Sequence, residues 1–143
     1  MKKEKAIQKL KEKFADKIVN WKDRSANRIY VDIRPSDIPD VARCLFKDLK
    51  ARFVTASGVD MPKAIEILYH FSFDKGGLIL SLRTTVAKPE LEIESIAPSI
   101  KGAEWIEREI WELLGVNFKN HPNLKRLLMA EDWPEGVYPL RRK

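Results

Sequence analysis

The sequence predicts an α+β domain with two layers, in which a mostly antiparallel or mixed sheet of about five strands packs against helices. Apolar residues recur at helical spacing in three separate stretches, and short runs rich in Val, Ile, Tyr and Phe lie between those stretches. A length of 143 residues is enough for one hydrophobic core. We therefore expect one domain with the element order α-β-β-α-β-β-β-α and an extended C-terminal arm.

The first 50 residues predict two helices with a hairpin between them. Residues 4–14 carry an apolar stripe among lysines, which is typical of an amphipathic helix. Residues 18–21 and 28–33 predict two strands around a polar turn. Ser36 is the predicted N-cap of a second helix that ends near residue 50, and Pro39 is tolerated in its first turn.

The middle of the chain predicts three strands followed by a long helix. Residues 52–59, 65–73 and 78–86 are β-prone, and a turn with two adjacent glycines joins the last two runs. The helix is expected to extend from Ser99 to Leu114. Gly115 follows it and suits the position that ends a helix.

Prolines dominate the last segment. Because of them, only residues 123–129 are expected to form a helical turn after residue 115. We therefore divide the domain into an α+β body, residues 1–117, and an extended arm, residues 118–143.

Composition limits the chemistry of this chain. Its single cysteine, Cys44, excludes an internal disulfide and any cluster or zinc site held by four thiolates of this chain alone. Cys44 lies on the apolar stripe of the second predicted helix, so we expect a buried, unreactive side chain. The formal net charge of +6 suits an anionic partner. No stretch has the length and apolar character of a signal peptide or a membrane span, which predicts an intracellular, soluble or peripheral protein.

Residues 102–141 contain many separate motif pieces in a fixed order. The pieces are Trp105, Glu107, Arg108, Glu109, Trp111, Glu112, Gly115, Phe118, His121, Pro122, Leu124, Arg126, Leu127, Trp133, Pro139, Leu140 and Arg141. In this order they resemble the signature of the 30 kDa subunit family of respiratory complex I. The strand pair over residues 65–86 resembles the stretch that precedes this signature, so the similarity covers most of the chain.

The resemblance implies a non-catalytic scaffold subunit, similar in kind to the C subunit of NADH dehydrogenase. The short ending at Lys143 looks like the form found in membrane-bound hydrogenases and related ion-pumping complexes. By that resemblance, the partners are a large subunit of the nickel-iron or complex I type and iron-sulfur subunits. The nickel-iron centre and the clusters are then expected in those partners, with no cofactor in this chain. The expected location is the cytoplasmic side of the cell membrane, as a peripheral subunit.

The same region is expected to bind the partner. Two large aromatic residues, Trp105 and Trp111, lie off the apolar face of the predicted helix, which indicates a second buried surface. Arginines of the signature are expected to meet carboxylates of the neighbours. The expected interface residues are Trp105, Glu107, Arg108, Glu109, Trp111, Phe118, His121, Pro122, Leu124, Arg126, Trp133, Tyr138, Pro139, Leu140 and Arg141.

Other interpretations of these residues stay open. Glu104 with Arg108, and Arg108 with Glu112, have the i,i+4 spacing of ion pairs on a surface helix. Glu107 and Glu109 point in different directions on a helix, which is poor geometry for a general acid and base. A small basic nucleic-acid-binding domain is the alternative function, supported by the basic runs, and no set of residues for a free-standing enzyme can be assembled.

Overall fold

The structure, a computed structural model, describes residues 2–129 and 133–141 of the chain. These residues form three α-helices and seven strands. The helices are α1 (Lys3–Lys13), α2 (Ile38–Arg43) and α3 (Glu104–Leu114). The strands are β1 (Ile18–Ser25), β2 (Arg28–Ile33), β3 (Arg52–Asp60), β4 (Ala64–Phe73), β5 (Leu78–Ala87), β6 (Glu92–Glu94) and β7 (Asn117–Lys119).

Five strands form a mixed sheet in the order β1-β2-β5-β4-β3. Neighbouring strands are antiparallel except for β2 and β5, which are parallel because the chain crosses over through α2, β3 and β4 between them. The short strands β6 and β7 pair in parallel and form a second sheet. The predicted α+β fold class with a mixed five-stranded sheet is confirmed.

One face of the large sheet is buried under the helices. Alternate residues of β4 on this face have no exposed surface, namely Ile65, Ile67, Tyr69 and Phe71, and they join one core with residues of all three helices. The intervening residues of β4 from Ala64 to His70 are only half-buried. This alternation is what a sheet shows when helices cover one side and leave the other open.

Several predictions of local structure are confirmed. The single cysteine, Cys44, is buried, and burial raises the pKa of its thiol. In the large sheet, Nε2 of His70 lies 3.1 Å from Oγ of Ser57 and Nδ1 lies 2.7 Å from Oγ of Ser81. Gly115 ends α3 in the left-handed conformation, at φ +82°.

The predicted starts of the second and third helices need correction. Ser36 is not an N-cap, because a 3₁₀ turn begins at Pro35, whose φ is fixed by its ring, and includes Ser36. After α2 the chain continues as a π-helical segment, Cys44–Asp48. The third helix begins at Glu104 rather than at Ser99, since residues 101–103 form another 3₁₀ turn.

The predicted boundary between body and arm falls inside β7. Phe118, the first residue of the predicted arm, is in that strand and is 1% exposed. Within the described residues, no helix has both the length and the apolar character that a membrane span requires.

Candidate functional site

Helix α3 packs closely against β3, which is an edge strand of the large sheet. Gly58 of β3 lies beneath it, and a Cβ atom built at Gly58 would be 2.5 Å from Cδ1 of Leu114 and 3.5 Å from Cγ2 of Ile110. A larger residue at this position would displace the tip of the Leu114 side chain. The absence of a Cβ atom therefore allows Leu114 and Ile110 of α3 to pack directly on β3.

Glu107 points from α3 into the protein and has no exposed surface. Its carboxylate accepts hydrogen bonds from the Ser95 hydroxyl and, at 3.0 Å, from the backbone N–H of Ile96. Burial raises the pKa of this carboxyl to about 7, against the lowering effect of those hydrogen bonds. Glu107 thereby fastens α3 to the loop that follows β6.

His121 connects the start of the arm to the first turn of α3. Its Nε2 lies 2.9 Å from the carbonyl oxygen of Glu104 and 3.9 Å from Oε1 of Glu107. Its Nδ1 accepts a hydrogen bond of 2.9 Å from the backbone N–H of Asn123. Because a backbone N–H can only donate, Nδ1 must carry a lone pair, and the proton of the neutral ring is on Nε2.

Arg108 and Glu112 bind the backbone of the arm. The guanidinium of Arg108 donates two hydrogen bonds of 2.9 Å, to the carbonyl oxygens of Lys125 and Arg126. The carboxylate of Glu112 accepts hydrogen bonds of 2.7 to 3.2 Å from three consecutive backbone N–H groups, those of residues 127–129. Both side chains are 6% exposed. The signature charges of α3 therefore hold residues 125–129 along the helix.

These contacts explain two departures from the predictions. The spacing suggested ion pairs between Arg108 and the glutamates one turn away, but the guanidinium donates to carbonyl groups of the arm instead. The helical turn predicted for residues 123–129 is absent, because the backbone groups that would bond to one another in a turn bond to Arg108 and Glu112 instead. Charge-assisted hydrogen bonds are stronger than those between neutral groups, which favours the extended path.

After residue 132 the chain returns to the end of α3. The backbone N–H of Leu140 donates to the carbonyl oxygen of Leu113 at 3.0 Å, and the indole N–H of Trp133 donates to the carbonyl oxygen of Val137 at 2.8 Å. Trp111 and Trp133 line a cleft of about 350 Å³. Trp111 also packs against the core, so one of the two tryptophans predicted to lie off the core face is covered within the chain.

Gly115 should be sensitive to substitution for two separate reasons. Alanine at this φ costs about 1 kcal/mol, and its Cβ would lie 2.7 Å from Cε2 of Tyr138. We expect Gly115→Ala to lower the free energy of unfolding by about 2 kcal/mol. Gly77→Ala is the matched control, because Gly77 has φ +64° and no atom near a built Cβ. Equal losses in chemical denaturation of the two variants would contradict a close contact between Tyr138 and the helix end.

Four apolar side chains of α3 and the arm remain exposed, and we call them the arm surface. They are Trp105, Leu128, Val137 and Leu140, with exposed fractions of 68%, 62%, 48% and 58%. Soluble monomers also expose single apolar residues, so the arm surface is a candidate for contact with another chain and is not by itself evidence of one.

The other expected interface residues have varied surroundings. Phe118 is buried in the core, and Glu109 and Leu124 are half-buried. Pro122 and Pro139 are exposed, Arg126 is half-buried, and the guanidinium of Arg141 lies 5.0 Å from the ring centroid of Tyr138. Three residues were absent from the predicted interface, namely Leu128, Val137 and the buried Glu112. Glu112 was visible as part of the signature, whereas Leu128 and Val137 carry no sequence signal beyond being apolar.

No metal site is evident in the described residues, since they contain no group of three His, Cys, Asp or Glu side chains arranged to hold an ion. His121 and Glu107 are two potential ligands close together, but each already has hydrogen-bond partners. The buried charged residues of α3 hold neighbouring segments of the chain in place, and the arm surface stays exposed.

Comparison with known proteins assigns the chain to a family. Residues 31–143 match the family model described as the 30 kDa subunit of respiratory-chain NADH dehydrogenase. The C subunit of NADH-quinone oxidoreductase from Citrifermentans bemidjiense is 30% identical over 141 residues, which cover 96% of this chain and 86% of that protein. This chain belongs to the 30 kDa subunit family. Another relative is the C subunit of F(420)H(2) dehydrogenase from Methanosarcina mazei, 33% identical, with 95% of this chain and 87% of that protein covered.

Solved structures share the fold of this 30 kDa subunit family member. A chain of an archaeal respiratory membrane complex, the membrane-bound sulfane sulfur reductase, aligns with a TM-score of 0.82 at 22% identity, covering 96% of this chain and 82% of that one. A trypsin-resistant fragment of Nqo5 aligns with a TM-score of 0.66 at 18% identity, covering 87% of this chain and all of the fragment. As a member of the family, the chain is a subunit of a complex I-like oxidoreductase complex.

Proposed function

We propose that this chain is a non-catalytic scaffold subunit in the peripheral redox module of a membrane-bound oxidoreductase complex of the hydrogenase or complex I type. The arm surface would dock on the catalytic large subunit, which is of the nickel-iron type or descends from it. Electron transfer coupled to ion translocation would then occur in the neighbouring subunits, whose nickel-iron centre and iron-sulfur clusters supply the redox chemistry. The proposed location is the cytoplasmic side of the membrane.

One observation carries this proposal: three charged residues of α3 are buried, while large apolar side chains of α3 and the arm are exposed. Glu107, Arg108 and Glu112 are buried and bonded to this chain's own loops. Arg108 and Glu112 hold residues 125–129 along α3. The first turn of this helix carries Trp105, which is two-thirds exposed. A protein gains nothing in its own stability from an exposed indole, whereas tryptophan is among the residues that contribute most at interfaces.

Preorganisation explains why a scaffold would be built in this way. An arm that was disordered before assembly would lose conformational entropy on binding, and that loss would reduce the affinity. Here five arm residues are already bonded to α3 through Arg108 and Glu112. Folding has therefore already ordered these residues, so little conformational entropy is lost on docking. Burial of the arm surface then contributes directly to the affinity.

Trp105→Ala tests the proposal. We expect the variant to bind the large subunit at least about 30-fold more weakly, equivalent to about 2 kcal/mol, because interface tryptophans commonly contribute that much. The melting temperature of the isolated subunit should stay close to that of the wild type, since the indole is 68% exposed. The measurement is titration of a tagged large-subunit preparation with each variant.

Phe46→Ala is the matched control, since Phe46 is an exposed aromatic residue outside the arm surface, at 36%. Its affinity for the large subunit should equal that of the wild type. The proposed docking surface would be rejected if Trp105→Ala and Leu140→Ala both bound as tightly as the control.

A further inference from the structure

Three cationic side chains surround a tyrosine on the open face of the large sheet, and we call this group the basic patch. Tyr30 is half-buried in β2, and Lys22 of β1 is its cross-strand partner. Arg28 precedes Tyr30 by two residues, so both side chains lie on the same face. Cζ of Arg24 lies 5.7 Å from the centroid of the Tyr30 ring. Lys22, Arg24 and Arg28 are all exposed.

The nearby carboxylates are already engaged with other groups. Asp32 accepts hydrogen bonds of 2.6 and 3.1 Å from the two guanidinium nitrogens of Arg83. Asp23, on the opposite face of β1, accepts from the indole N–H of Trp21 at 3.2 Å. The pKa of the Arg83 guanidinium is raised mainly by its hydrogen bond to Asp32, and the charge of nearby Glu66 raises it further.

The basic patch itself therefore lacks counter-charges. Among residues 2–129 and 133–141, none of the three cations has a carboxylate within the 4 Å of an ion pair. Like charges gathered on one surface repel each other, and burial against an anionic group removes that repulsion.

Tyr30 holds part of this surface in place. Two guanidiniums lie near its ring, that of Arg24 at 5.7 Å and that of Arg83 at 5.8 Å from the ring centroid. A guanidinium resting on an aromatic ring keeps its N–H groups free to bond at the edges, and its fork matches the geometry of a carboxylate. The basic patch is thus partly preorganised for acidic groups.

We propose that the basic patch binds an acidic segment of a neighbouring subunit. This second interface would lie on the open face of the sheet at the β1–β2 edge. The arm surface is elsewhere, because α3 packs on the other face, at the β3 edge. One chain would then bridge two neighbours: an apolar contact through the arm surface and an ionic contact through the basic patch. The inference uses the family assignment but does not require that the arm surface binds the large subunit.

A protein carboxylate fits the basic patch better than a nucleic acid does. Sheet surfaces that bind single strands stack successive bases on several aromatic rings. On the described open face, Tyr30 is the only phenol or indole ring, and two guanidiniums already lie near it.

Zero-length cross-linking of the purified, intact complex is the first test, because it needs no variant. A water-soluble carbodiimide joins a lysine amine directly to a carboxylate, so we expect mass spectrometry to find Lys22 linked to Asp or Glu of another subunit. Lys5 and Lys9 on the exposed side of α1 serve as internal references. The proposal is overturned if Lys22 yields no more inter-subunit links than those two lysines.

Charge reversal is the second test. In complexes assembled with Arg24→Glu/Arg28→Glu, we expect at least about tenfold less of the cross-linked neighbour to be retained near 0.15 M salt, and the difference should shrink as salt is raised. The control Lys5→Glu/Lys9→Glu changes the net charge by the same amount, and complexes assembled with it should retain the cross-linked neighbour.

Full retention by the patch variant would overturn the proposal. The proposal would also be overturned if the patch variant assembled normally but no longer bound a fluorescein-labelled single-stranded oligonucleotide. That result would assign the basic patch to nucleic acid. Binding of the large subunit by Trp105→Ala is measured separately, so failure of the arm surface and failure of the basic patch give different results.

Discussion

Replacing Glu112 with alanine is expected to release residues 127–129 from α3. The carboxylate accepts three backbone hydrogen bonds, and hydrogen bonds to a charged group contribute about 1.5–3 kcal/mol each, with losses that are not additive. We expect the free energy of local opening to fall by about 3 kcal/mol, which speeds amide exchange at Leu127, Leu128 and Met129 by about 100-fold. Hydrogen exchange on the isolated subunit measures this directly.

Glu109→Ala is the control for this substitution. It removes the same charge from the same helix, but the Glu109 carboxylate accepts no hydrogen bond from the described residues. Amide exchange in the arm should therefore match that of the wild type. Unchanged exchange in Glu112→Ala would mean that the arm is held by its apolar contacts and that the carboxylate is dispensable.

Stability should decrease as pH rises from about 4.5 to about 7, because of Glu107. Burial raises the pKa of this carboxyl from 4.5 to about 7, so within this range the folded protein keeps a proton that the unfolded chain loses. The contribution to stability is fully present below pH 4.5 and is lost as pH passes the folded pKa. A shift of this size corresponds to about 3 kcal/mol.

Glu107→Gln should remove this dependence, since its amide stays neutral and can still accept from the N–H of Ile96. The difference in free energy of unfolding between variant and wild type should therefore change by about 3 kcal/mol between pH 4.5 and pH 8. His121 and Tyr69 face the same carboxyl and remain present in both proteins. Parallel pH profiles would show that Glu107 is ionised in the folded protein throughout the range.

Periodicity was sufficient to predict the large elements of the fold. The spacing of apolar residues predicted all three helices, and β-prone runs predicted the five strands of the large sheet. It could not predict β6 and β7, since strands of three residues form only where a neighbouring strand supplies the hydrogen bonds.

The roles of the charged signature residues could not be predicted either. The i,i+4 spacing of Arg108 and Glu112 is the same for a surface ion pair and for two residues that bind the backbone of a neighbouring segment. The outcome depends on where the arm lies, which is a tertiary property. The arm itself has little local preference, because its path is set by α3. Glu107 illustrates the same limit: its partners Ser95 and Ile96 come from a loop that no motif connects to the helix.

The way in which α3 holds the arm separates stability from specificity. The hydrogen bonds that Arg108 and Glu112 make to residues 125–129 go to main-chain atoms, which are the same whatever side chains those residues carry. The outward side chain of Leu128 therefore contributes little to folding. One helix with two buried charges can carry arms of different composition, so members of such a family can change partners by substituting outward residues without rebuilding the domain that supports them.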